Sequence, residues 1–326
     1  MGIATKGQVE LNNSEIRFSE AGEKLIGQYF PVLDQGYVSL VSYHGTDQLI
    51  EAGARVSYQK GTRKVSDTRN LLRFLIRNQH CSPLELPNCT FLLKMPLYVI
   101  QQLLRHRTAK LNQESHRYSE ISGEMQVTDP REWRLQSGSN KQGSDGFLRS
   151  FDSNDLDGEY FSQREIELQE LSKNVYDERI KSGIAKEQAR KETPHSTYSS
   201  LYWQMDLRNL LHFLGLRCDS HAQLEIRVYA NVIAGIVKEL FPLTFEAWYD
   251  YAFAAKTLSR IDIELLRYVM TIRDFNKEDY VQMARVKDEA AILGLSSREV
   301  DEFLVKIGPQ PQQDFTLDYS RVYTKE

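Results

Sequence analysis

Cysteine is scarce in this chain: Cys81, Cys89 and Cys218 are the only three in 326 residues. An odd trio with no metal-like spacing builds neither a disulfide scaffold nor a cysteine metal centre, and a reducing, cytoplasmic setting is expected. Long apolar runs are missing as well, and residues 1–20 are polar, so neither a membrane-spanning helix nor a secretory signal is expected. No Gly-x-Gly-x-x-Gly turn occurs, which removes a dedicated dinucleotide-binding fold from the candidates. Excess charge is small, since 41 Lys and Arg face 45 Asp and Glu for a formal net charge of -4. General nucleic-acid binding is therefore not expected. What is present, 41% hydrophobic and 26% charged residues, is the composition of a globular chain with a sizeable core.

Against that near-neutral background one stretch concentrates cations: Arg105-His106-Arg107-Thr108-Ala109-Lys110-Leu111-Asn112-Gln113-Glu114-Ser115-His116-Arg117-Tyr118. Before it, Pro96 to Leu104 opens with a proline suited to a first helical turn and continues mostly apolar, so a buried helix delivers the motif. Gln102 and Arg105, three apart, share a face, and the following loop can fold back to bring Ser115 and Arg117 nearby. Guanidinium groups suit phosphate because their planar fork makes paired bonds and keeps its charge. Taken alone, the basic triplet reads more readily as a complement to the negative end of a helix dipole followed by a solvated loop.

The remaining patterns point to an α+β fold, a mixed or antiparallel sheet packed with helices. Residues 1–36 form a weakly patterned, loosely attached lead-in, and Tyr37–Tyr43 alternates as a strand. Thr46 caps one helix and Ser66 or Asp67 the next, and Cys89–Leu93 reads as a second strand. Residues 126–157 are rich in Ser, Gly, Asn and Asp and read as an exposed, mobile insertion without chemistry. Helices are expected over Tyr160–Lys181 and over Tyr198–Leu214, the latter placing Arg208 and His212 four apart on one face. Glu187 and Arg190 make an i,i+3 pair on a short helix. Ser220 to Gln223 forms a capping box for a further helix, leaving Arg217 just before a helix N-terminus, where a cation needs an anionic partner. Cys218 is a small packed residue rather than a nucleophile. Residues 37–250 read as one domain and 251–326 as a helical extension with a capping box at Ser296 to Glu299.

Arg105-His106-Arg107, seven residues and then Ser115, with Asn112 before it and Arg117-Tyr118 after it, resembles the signature of the flavin-dependent thymidylate synthases. Leu216-Arg217-Cys218-Asp219-Ser220-His221-Ala222-Gln223 is similar to a second family segment, in which the cysteine is commonly alanine. His80-Cys81-Ser82-Pro83-Leu84-Glu85 and Gly183 to Arg190 resemble two more, the first only in part because Leu84 and Leu86 replace Phe and His.

The resemblance implies conversion of dUMP to dTMP, with 5,10-methylenetetrahydrofolate as carbon donor and NADPH as reductant through FAD, in a homotetramer whose sites lie where subunits meet. No metal and no membrane are implied, and the dinucleotide shares the flavin pocket. Arg217 is the catalytic residue by that resemblance. Gln102, Leu103, Leu104, Arg105, Gln113, Glu114, Ser115, His116, Arg117, Arg190 and Arg217 surround the nucleotide. Ser82, Arg105, His106, Arg107, Gln113, Asp206, Leu207, Arg208 and His212 surround FAD. Departures stand at Gln113, where the family has Glu, at His116, where it has a small residue, and at Asp206 and His212, commonly Asn. They leave open a non-catalytic relative that binds flavin and nucleotide and serves an interaction role. An RNA-binding module using the basic loop is a weaker alternative, opposed by the acidic balance.

Overall fold

The computed structural model describes residues 16–56, 67–120, 123–138, 143–148, 157–309 and 311–324. The chain divides into two compact units, Met1–Ala252 with Phe315–Glu326, and Phe253–Asp314. In the larger, Ser19 caps α1 (Glu20–Leu25), and β1 (Gln28–Val32) pairs antiparallel with β2 (Gly36–His44). The segment before Gly36 is thus part of the sheet, with Leu25, Phe30 and Val32 buried, rather than a loose lead-in. Thr46 caps α2 (Asp47–Arg55) and Asp67 caps α3 (Thr68–Arg77); Ser66, the other candidate, lies outside the described residues.

A 3-10 turn, Ser82–Glu85, leads into β3 (Asn88–Pro96), which buries Cys89, Phe91, Leu93 and Met95 in alternation. Then come α4 (Leu97–Leu103), β4 (Lys110–Gln113), a ribbon of β5 (Arg134–Gln136) and β6 (Ser144–Phe147), α5 (Gly158–Lys181) and α6 (Lys186–Ala189). The segment β7 (Tyr198–Asp206), α7 (Leu207–Arg217), α8 (Leu224–Leu240) and α9 (Pro242–Trp248) completes the core. With β8 (Tyr323–Thr324), six strands order as β4-β7-β3-β2-β1-β8 with every neighbour pair antiparallel, which is the antiparallel sheet packed with helices expected from sequence.

Three local expectations are corrected. Tyr198–Leu214 is not one helix: its first nine residues pair with all of β3, from Asn88 opposite Asp206 to Pro96 opposite Tyr198. Leu201, Trp203 and Met205 alternate into the core, a period of two that the leucines of α7 masked in a longer window. Helix spacing begins only at Leu207, after the Asp206 carboxylate has accepted the Asn209 backbone N–H at 3.0 Å as an N-cap. The capping box at Ser220 does not form, because α8 starts at Leu224 with Gln223 in the cap position and no side-chain cap bond. The insertion is not wholly a solvated loop. Trp133 donates to Ser162 Oγ at 2.9 Å and packs against Phe161, and a Cβ on Gly158 would fall 1.8 Å from the Pro130 carbonyl oxygen. Residues 139–142 and 149–156 of that insertion lie outside the described residues.

The helix α8 is the core's axis, burying Ile226, Tyr229, Ala230, Ile233, Ala234, Ile236, Val237 and Leu240. Its Tyr229 hydroxyl donates to the Lys94 carbonyl at 2.6 Å, and Gly36 is required beside it because a Cβ there would meet that hydroxyl at 1.9 Å. In the smaller unit, α10 (Arg260–Val269), α11 (Tyr280–Ile292) and α12 (Ser297–Ile307) enclose Leu265, Val269, Val286, Ala290, Val300 and Phe303. Capping boxes at Ser259 and Ser296 start two of these helices. Residues 251–326, read from sequence as one extension, therefore divide between the units: Phe315 packs on Phe245 at 5.5 Å and β8 (Tyr323–Thr324) pairs with β1.

Candidate active site

The basic motif is strung between the end of α4 and the sheet edge. The Leu97 amide at the start of α4 bonds the Thr197 carbonyl just before β7 at 2.9 Å, and β4 after the loop pairs with β7 from Lys110 opposite Gln204 to Gln113 opposite Leu201. Arg105 and Arg107 are exposed, and neither guanidinium has a carboxylate partner among the described residues. His106 turns inward. Its ring stands edge-on to Phe213 at 4.8 Å, and Phe213 rests on Trp203 at 5.0 Å.

Arg217 Nε donates to His106 Nε2 at 3.0 Å, joining the two sequence motifs. Burial pushes the His106 imidazolium down to about 4, with the charge of Arg217 and the nearby His212 adding to it. The ring is therefore neutral at neutral pH, with Nε2 the acceptor and the proton on Nδ1. Burial also lowers the Arg217 guanidinium, yet its Nη groups remain available for a ligand. The placement of Arg217 corrects the sequence reading: it is the last residue of α7, not the residue before α8, because 218–223 intervene. At a helix C-terminus the partial negative charge favours a cation, so its position needs no anion to explain it.

This bond makes a pH prediction. The unfolded chain takes up the imidazole proton near the ordinary value of about 6.5, whereas the folded chain does so only near 4. Between those values the unfolded state holds more protons, so acidification through that window lowers stability. In NMR the His106 ring signals stay flat between about pH 8 and 5 and inflect near 4; an inflection at the ordinary value means that the ring is not buried beside Phe213 and Arg217.

The residues implied for the nucleotide make several separate local groups of contacts. The Gln102 amide donates to Gln223 Oε1, and Gln223 in turn donates to Glu225 at 2.7 Å. Ser115 Oγ accepts the Arg117 backbone N–H at 3.3 Å, and the Arg117 guanidinium lies 3.3 Å from Glu187. Glu187 thus pairs across to the motif instead of along its helix with Arg190. Arg190 is half-buried beside His116, whose proton affinity is lowered by burial, opposed by Glu114 and reinforced by Arg190. Gln113 donates to Ser199 Oγ at 3.0 Å, while Glu114 is exposed with its amide on the Ser200 carbonyl. Leu103 is buried, so only its backbone can face a ligand, whereas Leu104 is exposed.

A second group gathers where α7 begins. Arg208 pairs with Glu85, which ties the Ser82–Glu85 turn, where Ser82 is exposed and Leu84 buried, to the helix. Asp206 is spent on its cap, also accepting from the Asn209 side chain at 2.7 Å, so its charge is not aimed at an anion. Leu207 is buried with its N–H on the Pro87 carbonyl, and His212 is exposed one turn beyond Arg208. Cys218 is fully buried and burial pushes its thiol up, which leaves it inert as a nucleophile. Sequence reasoning passed over Gln223 and Glu187 as partners of the motif; both were explained as helix residues, and only their cross-chain bonds single them out.

A family model described as thymidylate synthase complementing protein matches residues 39–243, a span holding every residue of the site. The flavin-dependent thymidylate synthase of Wolbachia pipientis wMel is 39% identical over 248 residues, covering 76% of this chain and 86% of that protein. This chain belongs to the flavin-dependent thymidylate synthase family. Its likeness to the Thermus thermophilus flavin-dependent thymidylate synthase is 38% over 280 residues, covering 86% of this chain and 96% of that one. Among solved structures, a UMP/dUMP methylase PolB from Streptomyces cacaoi with 5-Br UMP bound superposes with a TM-score of 0.60 at 32% identity, covering 69% of this chain and 98% of that one. The family model ends at residue 243, so its match includes Arg217 and stops short of α10 to α12.

Proposed function

We infer that this chain catalyses reductive methylation of dUMP to dTMP, with FAD bound, NADPH as reductant and 5,10-methylenetetrahydrofolate as carbon donor. The observation that carries this reading is the Arg217 to His106 bond, which brings the two family motifs together around one oriented guanidinium. Held at Nε, Arg217 can direct its Nη groups at a uracil carbonyl and stabilise the negative charge that gathers there when N3 loses its proton. Gln102, Ser115, Arg117 and Arg190 serve the nucleotide's sugar and phosphate. No nucleophile from the chain is required.

The donor set fits a flavin dinucleotide. Arg105 and Arg107 are exposed guanidinium groups without carboxylate partners among the described residues, as a diphosphate needs, and Ser82, Arg208 and His212 stand on the adjoining turn and helix. The bound flavin supplies the hydride, and the chain supplies orientation and electrostatics. Beside these groups Leu104, Leu216 and Tyr118 are 48%, 51% and 76% exposed. Such apolar cover around a charged site supports completion by neighbouring subunits, in the homotetramer that the family resemblance implies.

The redox half is tested by following NADPH oxidation in the flavin-loaded protein. dUMP accelerates it on this reading, and UMP serves as the control nucleotide. A colourless preparation, or oxidation indifferent to dUMP, contradicts it.

A further inference from the structure

The β5–β6 ribbon does not stand free. Arg134 at its start pairs with Glu225 on α8, both side chains largely buried, and the ribbon and the segment from Ser220 to Arg227 enclose a cavity of about 800 Å³. Its position is informative. The segment that walls it begins three residues after Arg217, and the wall residue Gln223 accepts the hydrogen bond from Gln102. The cavity therefore opens beside the nucleotide residues, and its volume is that of a site for a sizeable small molecule.

Its chemistry is mixed in a particular way. Arg134 is neutralised by Glu225, and His221 stands 2.8 Å from Asp219. Arg227 spends one Nη1 bond on the Ser220 carbonyl and has no carboxylate partner among the described residues, so one cation in the wall is uncompensated. Leu135 and Phe147, 39% and 50% exposed, supply an apolar side on the ribbon. A flat aryl group carrying a carboxylate matches that pairing of an apolar wall with an unpaired guanidinium.

We propose that this cavity receives the aminobenzoyl-glutamate end of the reduced folate, with Arg227 facing a glutamate carboxylate and Phe147 the aryl ring. The assignment rests on the methylation reading above, which requires a one-carbon donor to approach the uracil from a neighbouring site. It gives the insertion a purpose: the ribbon is the outer wall of a subsite for the donor's tail. The part of the folate remote from the reacting carbon thereby contributes binding that holds the methylene in place.

The test compares two probes that differ only in the tail, 5-formyltetrahydrofolate and 5-formyltetrahydropteroate, by calorimetry on the full-length flavin-loaded protein with dUMP. The glutamate-bearing probe binds about tenfold more tightly, as one charge-assisted bond provides. Arg227→Gln brings the ratio close to one. Because Arg227 also holds the Ser220 carbonyl, Ser144→Asp on the ribbon is the second variant; it adds repulsion without touching that loop and lowers the same ratio. Equal binding of the two probes to the unaltered protein overturns the proposal, as does a ratio that neither variant changes. A change in NADP+ affinity with folate binding intact also overturns it, assigning the cavity to the dinucleotide. Failure of the parent reading looks different: no dTMP forms, whatever the ratio of the two probes.

Discussion

Arg217→Ala lowers dTMP formation by about a thousandfold, the loss seen when a preorganised donor to a developing anion is removed. The flavin stays bound, because Arg217 touches the site through His106 and not through the exposed arginines assigned to the diphosphate. The geometry explains why lysine does not rescue. A single ammonium cannot hold the His106 ring and present a planar pair of donors to a pyrimidine at once. Arg217→Lys therefore keeps its charge at the helix end and remains within about tenfold of the alanine variant. Steady-state rates with the flavin absorbance recorded on the same sample decide the matter. Loss of flavin from the alanine variant, or full rescue by lysine, assigns Arg217 a different role.

Phe213→Ala costs about 3 to 5 kcal/mol of stability, the range for truncating a large buried aromatic. Phe213 is fully buried between Trp203 on β7 and the His106 ring, so its removal opens a void on both sides. Stability is half of the effect. Without the ring beneath it, His106 is free to rotate away from Arg217, and the variant loses dUMP-dependent turnover in the fraction that remains folded. Phe213→Leu keeps most of the volume and separates the two: it recovers the greater part of the stability while His106 still lacks a flat support. Denaturant unfolding and turnover on both variants check this. A leucine variant as active as the parent means that the ring fills space and positions nothing.

These two residues also show how far the sequence was legible. The cation-rich string Arg105 to Arg117 pointed by composition to an anionic ligand, and its roles and that of Arg217 came from resemblance to family segments, which are local patterns. The Arg217 to His106 bond joins positions 111 residues apart, and no local pattern carries that information. Strands with strict alternation, such as β3, were readable, whereas β7 was hidden by the leucines of α7 because its identity depends on pairing with β3 along its whole length. Asp206 illustrates the same limit at a single residue. In sequence it stood only as a departure from the family's usual Asn, and the strand-to-helix junction reveals that the carboxylate is used as a cap. The insertion looked like solvated linker by composition, yet Trp133, Arg134 and Gly158 anchor its described parts to α5 and α8.

The most direct test of the assignment is formation of dTMP by the purified flavin-loaded chain from dUMP, 5,10-methylenetetrahydrofolate and NADPH, with products identified by mass spectrometry. The account predicts dTMP, with tetrahydrofolate and NADP+ formed alongside it and no product when any one of the three substrates is omitted. Dihydrofolate in place of tetrahydrofolate, or NADPH consumed with no dTMP, contradicts it.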